Sequence, residues 1–406
     1  MCGAVLTSHT LLLSDPAMSR IRLAIVSNSV TPYRINLHSR LTRDCTELKL
    51  WSLFTHEHSN APWKLAVPPA IRPVYFGDGE ASAEQGLLHR PLHEAGKGVR
   101  IAHWLKEHQI DAIILFGYND ACLLYVAWWA KRRHMPCYLF GDSNADCDAP
   151  SGIKGAVKRV ALPRILGLFT GVMYCGSKGA EYFRRYGVPE PHLFPFPYEP
   201  AYEEFQNAPT TADGERRRLL YCGRLVAVKR VDLLISAFHR IAEQRPTWDL
   251  VIVGDGPLRA ELMDRMAPHL TERIQFPGFI NDPGSLAQCY ANCDVLVLPS
   301  DCEPWGVVVT EAATRLALVC SSKVGAAADL IEDHVNGRVF PAGDGAALTS
   351  ALLEVTHPNH IDAMKSASPR VLARWRNSHD PVAGLRLALQ FAGLSKPSVT
   401  VPPAAS

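Results

Sequence analysis

The chain has 406 residues, 47% of them hydrophobic and 20% charged, with a formal net charge of +2. That length and apolar content fit a soluble globular protein of two domains with a large core, and the near-balanced charge leaves no global electrostatic case for a nucleic-acid partner. No apolar run approaches the roughly 20 residues that span a bilayer.

Met1–Ala17 is mildly apolar but has no basic n-region, so it does not read as a signal peptide. It reads as a frayed tail or a mis-called start ahead of Met18. From there, strand-like and helix-like segments alternate. Arg22–Ser27 is a β-branched and aliphatic run, followed by a helical pattern over Tyr33–Arg43. Asp111–Phe116 is a strand and Ala121–Arg133 a helix; Cys137–Phe140 and Gly171–Tyr174 are further strands. Buried strands alternating with covering helices imply a parallel sheet. Gly152–Leu168, with Lys154, Lys158, Arg159 and Arg164 among aliphatics, has two readings: a plain surface helix, or an amphipathic one touching anionic lipid. Pro163 is expected to interrupt it.

Pro195–Gly214 breaks the rhythm with Pro195, Pro197, Pro200 and Pro209 and a polar Thr-Thr-Ala-Asp-Gly run, and reads as a linker. The pattern then restarts. Strands are predicted at Leu219–Cys222, Leu250–Val253, Ile274–Phe276, Val295–Leu298, Val319–Ser321 and Val339–Phe340. Helices are predicted over Val231–Gln244, Leu258–Met266, Ser285–Asn292, Val307–Leu316 and Ala346–Val355. The Pro/Ser/Ala-rich tail, residues 395–406, is expected to be disordered. The expected fold is therefore α/β, with two Rossmann-like, doubly wound domains, residues 18–198 and 215–374, facing a central cleft where ligands bind at the carboxyl ends of the strands. The eleven cysteines follow no framework and read as buried, reduced thiols of a cytoplasmic protein.

Three stretches carry candidate chemistry. In Pro299-Ser300-Asp301-Cys302-Glu303-Pro304-Trp305-Gly306-Val307-Val308-Val309-Thr310-Glu311, a strand ends and a helix begins near Gly306. Unpaired amides at Gly306, Val307 and Val308 suit a diphosphate, Gly306 lets a ligand approach the backbone, and two carboxylates suit a polyol. A capped helix with two solvated glutamates is the bland alternative. In Tyr221-Cys222-Gly223-Arg224-Leu225-Val226-Ala227-Val228-Lys229-Arg230, a glycine turn presents Arg224 and Lys229 at the mouth of the sheet, as a leaving diphosphate requires or as any solvated loop does. Val253-Gly254-Asp255-Gly256-Pro257 is a tight strand-to-helix turn, and Arg259 stands where a dinucleotide fingerprint needs its last glycine.

In order, Gly223-Arg224-Leu225…Lys229, Val253-Gly-Asp-Gly-Pro257, Phe276-Pro-Gly-Phe279, Asp294-Val-Leu-Val-Leu-Pro-Ser300, Glu303 with Glu311, Val324-Gly325 and Asn336-Gly337 resemble the retaining glycosyltransferases of family four (glycosyl transferases group 1), densely from Leu219 to Val355. The resemblance implies a GT-B fold, an NDP-sugar donor linked to UDP or GDP, and a carboxy-terminal helix, about residues 375–393, crossing back onto the first domain. It implies that Arg224 and Lys229 bind the diphosphate and that Glu303 contacts the transferred sugar. The amides near Trp305, Gly306, Val307 and Val308 would hold sugar and phosphate, Glu311 the ribose, and the backbone of Gly278, Phe279 and Ile280 the base. The first half departs from the commoner pattern: the loop after the first strand lacks a Gly-Gly pair and reads Thr31-Pro32-Tyr33-Arg34, as in a subset of bacterial members. Where relatives often have a histidine near the reacting sugar, this chain has Gly141-Asp142-Ser143-Asn144, which makes Asp142 the candidate, unless the segment is only an Asx-type turn. On cleft closure Arg34 or Asp142 would join the donor. No aspartate cluster suggests Mg²⁺, so protein cations are expected to replace a metal cofactor.

The expected partners are the nucleotide-sugar donor on the second domain and, on the first, a sugar, lipid-linked or other hydroxyl acceptor. Peripheral membrane contact on the cytoplasmic face is the accompanying possibility; nucleic acid is not expected. A dinucleotide-dependent oxidoreductase would need a complete Gly-x-Gly-x-x-Gly turn. A non-catalytic nucleotide-sugar-binding protein would have no need of Arg224, Lys229, Glu303 and Glu311 together.

Overall fold

The computed structural model describes residues 20–59, 63, 65–81, 85–86, 90–118, 120–149, 151–211 and 216–395. Met1–Ala17, the tail after Ser395, residues 212–214 of the expected linker and residue 215 lie outside them. The first half runs β1 (Ile21–Ser27), α1 (Pro32–Asp44), β2 (Leu48–Phe54), β3 (Pro73–Tyr75), α2 (Pro91–Glu107), β4 (Ala112–Phe116), α3 (Ala121–Arg132), β5 (Cys137–Gly141), α4 (Gly152–Leu166), β6 (Gly171–Tyr174), α5 (Gly176–Arg185) and β7 (Leu193–Pro195). After α6 (Tyr202–Asn207) come β8 (Arg217–Cys222), α7 (Val231–Ile241), β9 (Trp248–Val253), α8 (Arg259–Asp264), β10 (Ile274–Gly278), α9 (Pro283–Ala291), β11 (Val295–Leu298), α10 (Val307–Ala312), β12 (Ala317–Ser321), α11 (Ala327–Leu330), β13 (Gly337–Phe340), α12 (Gly345–Val355), α13 (Ile361–Ser378) and α14 (Pro381–Phe391).

The strands form two sheets, ordered β3-β2-β1-β4-β5-β6-β7 and β10-β9-β8-β11-β12-β13. Every pairing within them is parallel. Each sheet reverses its winding direction beside its first strand, between β1 and β4 and between β8 and β11, which opens a crevice at the carboxyl ends. The central strands are apolar throughout because both faces are covered. In β1, Leu23 and Ile25 enter one core while Ala24 and Val26 enter the other. The first of these cores continues through Phe194, Phe196, Tyr202 and Phe205 into the second domain.

Helix starts follow local chemistry. Asp120, Asp282 and Asp380 accept amide bonds at the starts of α3, α9 and α14, and Pro283 and Pro381 occupy first-turn positions where no donor is lost. Pro163 does not interrupt its helix as expected: α4 continues to Leu166. The proline falls in the last turn, so little of the ladder is lost beyond it. The proline-rich linker also contains a helix. Phe205 of α6 packs edge-on against Tyr290 at 5.0 Å, and the Arg315 guanidinium donates to the Ala208 carbonyl at 2.8 Å. The chain returns to the first domain through α14, where the Tyr138 hydroxyl donates to the Ala388 carbonyl and Arg386 pairs with Glu47 at 2.9 Å.

Candidate active site

The two sets of strand ends enclose a cavity of about 760 Å³, within the size range of small-molecule sites. The second domain supplies Gly223, Arg224, Gly254, Gly256, Phe279, Ile280, Val307, Val308 and Glu311. The first supplies Tyr33 and Asn36 from α1, together with Trp63, Leu65 and Ala66; Glu204 of α6 completes the wall.

Arg224 lies two residues beyond the end of β8, after Gly223, and is exposed. Among the described residues, no carboxylate neutralises its side chain. Lys229 closes a 3-10 turn, Ala227–Lys229, and its ammonium is ion-paired with Glu303. The backbone of Glu303 is held on both sides: its amide donates to Lys323 O at 3.0 Å and its carbonyl accepts from Gly325 N at 3.1 Å. Gly306 has φ of 89°, the left-handed region, and a methyl there would lie 3.2 Å from Glu303 Cγ. This turn starts α10 at the cavity, where Val307 and Val308 form part of the wall; the first amides of a helix have no partner within it.

Glu311 lies in α10 and accepts from the Tyr290 hydroxyl at 3.0 Å. Burial pushes its carboxyl from 4.5 up to about 7, against the smaller opposing effect of that hydrogen bond. Only the ionised form is a pure acceptor for hydroxyl donors. With Glu311 on the ribose, as the resemblance implies, nucleotide affinity is expected to rise as pH increases from 6 to 8, by up to about tenfold. Glu311→Gln should flatten the profile in titration calorimetry with UDP and GDP. On folding the sign is opposite: the raised value adds stability that is fully present below about 4.5 and is lost as pH rises through about 7.

Several candidates lie elsewhere. Arg34 is buried and does not line the cavity: its guanidinium turns back onto Asn28 and the Ser29 carbonyl, and neighbouring Tyr33 and Asn36 face the site instead. Asp142 is not on the cavity wall; it accepts from the Tyr198 hydroxyl at 2.9 Å, and the Tyr198 ring lies 4.7 Å from that of Tyr33. The side chain of Trp305 is core: its Nε1–H donates to Thr310 at 3.0 Å, and its ring stacks on Trp375 at 5.2 Å. Gly278 is off the cavity wall and accepts from Gly254 N at 2.9 Å, while Phe279 and Ile280 beside it do line the wall.

Residue reasoning missed the groups by which the first domain reaches across. Asn144 Nδ2 donates to the carbonyls of Glu303 at 2.9 Å and Lys323 at 3.1 Å, and the Trp63 ring meets that of Phe279 edge-on at 4.9 Å. Asn144 sits two residues from the Asp142 singled out; Trp63 carries no local signal. The expectation of uniformly reduced thiols is corrected as well. Cys147 and Cys302 form a disulfide, with Cα atoms 5.5 Å apart, tying the loop after β5 to the residue before Glu303. Among the described residues, metal-compatible spacing occurs at His56, Glu80 and Glu94 and at Glu94, Asp120 and Cys122, all in the first domain. The Lys97 ammonium already bridges Glu80 and Glu94 there.

Two parallel, doubly wound domains closing on a cation- and carboxylate-lined cleft define a GT-B architecture. Residues 203–368 match the family described as glycosyl transferases group 1. Among curated proteins, an uncharacterized glycosyltransferase of Methanocaldococcus jannaschii is 36% identical over 124 residues, 30% of this chain and 31% of that protein. The chain spans about a third of the length of the curated relatives it matches. Two solved structures share the fold over nearly the whole chain. The lipopolysaccharide outer core galactosyltransferase WaaB superposes with a TM-score of 0.66 at 16% identity, covering 91% of this chain and 99% of WaaB. Anabaena HepE in complex with UDP-glucose superposes with a TM-score of 0.64 at 16% identity, covering 92% and 99%.

Proposed function

We propose that this protein is a retaining glycosyltransferase that moves a sugar from a UDP- or GDP-linked donor to an acceptor hydroxyl in glycoconjugate synthesis. The observation that carries the reading is the cavity wall shared by Arg224, Val307 and Val308 at the start of α10, and Glu311, with Glu303 packed against Gly306 and paired with Lys229. The base lies against Phe279 and Ile280, the ribose hydroxyls donate to Glu311, and the diphosphate meets Arg224 and the amides of α10. Lys229 exchanges its pairing with Glu303 for the phosphate, which frees Glu303 to accept from the sugar hydroxyls. The bond from the anomeric carbon to the phosphate oxygen breaks, a bond to the acceptor oxygen forms on the same face, and the acceptor proton passes to the departing diphosphate. The similarity to a fold that holds UDP-glucose in Anabaena HepE supports the donor class. The first domain closes the cavity with Tyr33, Asn36 and Trp63, and its remaining cleft surface takes the acceptor.

In this reading protein cations stabilise the leaving charge. Release of UDP or GDP from a panel of nucleotide sugars is expected for at least one donor, and to persist in EDTA. Loss of turnover in EDTA that Mg²⁺ or Mn²⁺ restores would replace this leaving-group assignment. Absence of both turnover and thermal stabilisation with every donor would remove the functional reading; a bound nucleotide at ~100 times its Kd adds about 2.7 kcal/mol of apparent stability.

A further inference from the structure

The outer faces of α3 and α4 carry an apolar, cationic surface that sugar transfer does not use. Both helices are crossovers between adjacent parallel strands, β4 to β5 and β5 to β6, so they lie on the same side of the first sheet. Their inner residues, Val126 and Ala127 with Leu162 and Leu166, share one core, and the Lys131 ammonium donates to the Gly167 carbonyl just beyond α4. Ile153, Val157 and Val160 fall on one outer stripe of α4 at 84%, 60% and 57% exposure, and Trp128 of α3 is 44% exposed. The Arg132 guanidinium lies 5.0 Å above the Trp128 ring. Arg159 and Arg164 are exposed on α4 with no carboxylate partner among the described residues, the Arg164 guanidinium donating to the Val160 carbonyl at 2.6 Å. Residues 121–133 and 152–168 contain no aspartate or glutamate at all.

We infer that this face docks on an anionic phospholipid bilayer, with the aliphatic stripe and Trp128 entering the headgroup boundary and the arginines meeting lipid phosphates. No helix of the described residues is long and apolar enough to cross a membrane, so the contact is peripheral. An aliphatic row flanked by cations with an interfacial tryptophan is the pattern that lies in such a boundary. A second copy is a poor occupant because the uniformly positive face repels itself. A nucleic acid would leave the aliphatic row without a partner.

The test is flotation of the whole protein, without nucleotide or acceptor, on vesicles of phosphatidylcholine alone or with 30% phosphatidylglycerol. Because no donor is present, its outcome is independent of the sugar-transfer reading. Binding to anionic vesicles is expected at least about tenfold above binding to neutral ones and should fall in high salt, since each surface cation contributes about a fivefold preference. Val157→Asp with Val160→Asp, and separately Arg132→Gln with Arg159→Gln and Arg164→Gln, should each lower binding by about tenfold or more. All five positions are exposed, so melting temperature should be unchanged. Equal recovery on both vesicle types, or stably folded variants that float like the parent, overturns the inference. So does the finding that the substitutions split a dimer in sedimentation velocity while the parent ignores vesicles.

Discussion

Glu303→Ala is expected to lower turnover of the nucleotide sugar by about 10²- to 10³-fold, the range seen when a group aimed at developing charge is removed. Glu303 is fixed by three backbone hydrogen bonds and paired with Lys229, whose side chain is only 19% exposed. The truncation therefore removes an acceptor for the sugar and leaves a half-buried ammonium without its partner. The two consequences separate experimentally. Lost pairing lowers melting temperature, and Glu303→Gln, which keeps shape and one acceptor, should recover much of that loss. Activity should not recover with it, because the amide offers the sugar hydroxyls one neutral acceptor oxygen in place of two charged ones. Near-wild-type turnover of folded Glu303→Ala with purified donor would remove the residue from the reaction.

Gly254→Ala is expected to cost about 2–6 kcal/mol, the sum of a left-handed strain and a core overlap of about 1–3 kcal/mol each. That lowers melting temperature by roughly 5–15 °C. Gly254 has φ of 133°, and a methyl there would lie 1.9 Å from the Gly223 carbonyl oxygen. Neither atom belongs to a flexible side chain, so backbone must move, and the backbone that moves carries Arg224. Catalytic efficiency should therefore fall together with stability. Gly96→Ala is the control: Gly96 lies in α2 with nothing within 4 Å of the added methyl, and the change should stabilise by about 0.5–1 kcal/mol. Calorimetry of the two variants checks both signs. Equal melting temperatures would mean that the Gly223–Gly254 crossing is looser than this geometry requires.

That crossing shows which parts of the site local pattern could reveal. Val253-Gly-Asp-Gly-Pro257 reads correctly as a tight turn, because glycine at a strand end followed by proline at a helix start is a local signal. Its purpose, to let three strand ends meet, is not local: Gly223 N donates to Val253 O at 3.0 Å and Gly254 N to Gly278 O at 2.9 Å. In the same way, Thr31-Pro32-Tyr33-Arg34 is recognisable as a site segment, but charge drew attention to Arg34 when helix rotation puts Tyr33 and Asn36 on the cavity wall. Burial similarly makes Trp305 a core ring. Proline density concealed α6, which is stabilised by Phe205 on Tyr290 rather than by its own propensity.

The sequence by itself determined the alternation of strands and helices, the two doubly wound halves and the positions of Arg224, Lys229, Glu303 and Glu311 at strand and helix ends. Each of these depends on residues within one or two turns of one another, where the periods of 2 and 3.6 and the chemistry of helix starts operate. Only the tertiary structure decided which first-domain groups cross the cleft: Asn144 on the Glu303 carbonyl, Trp63 on Phe279, and Cys147 bonded to Cys302 over a separation of 155 residues. Period and capping constrain a residue against its chain neighbours alone. A contact between domains depends on how two separately formed sheets are set against each other, and no local spacing encodes that.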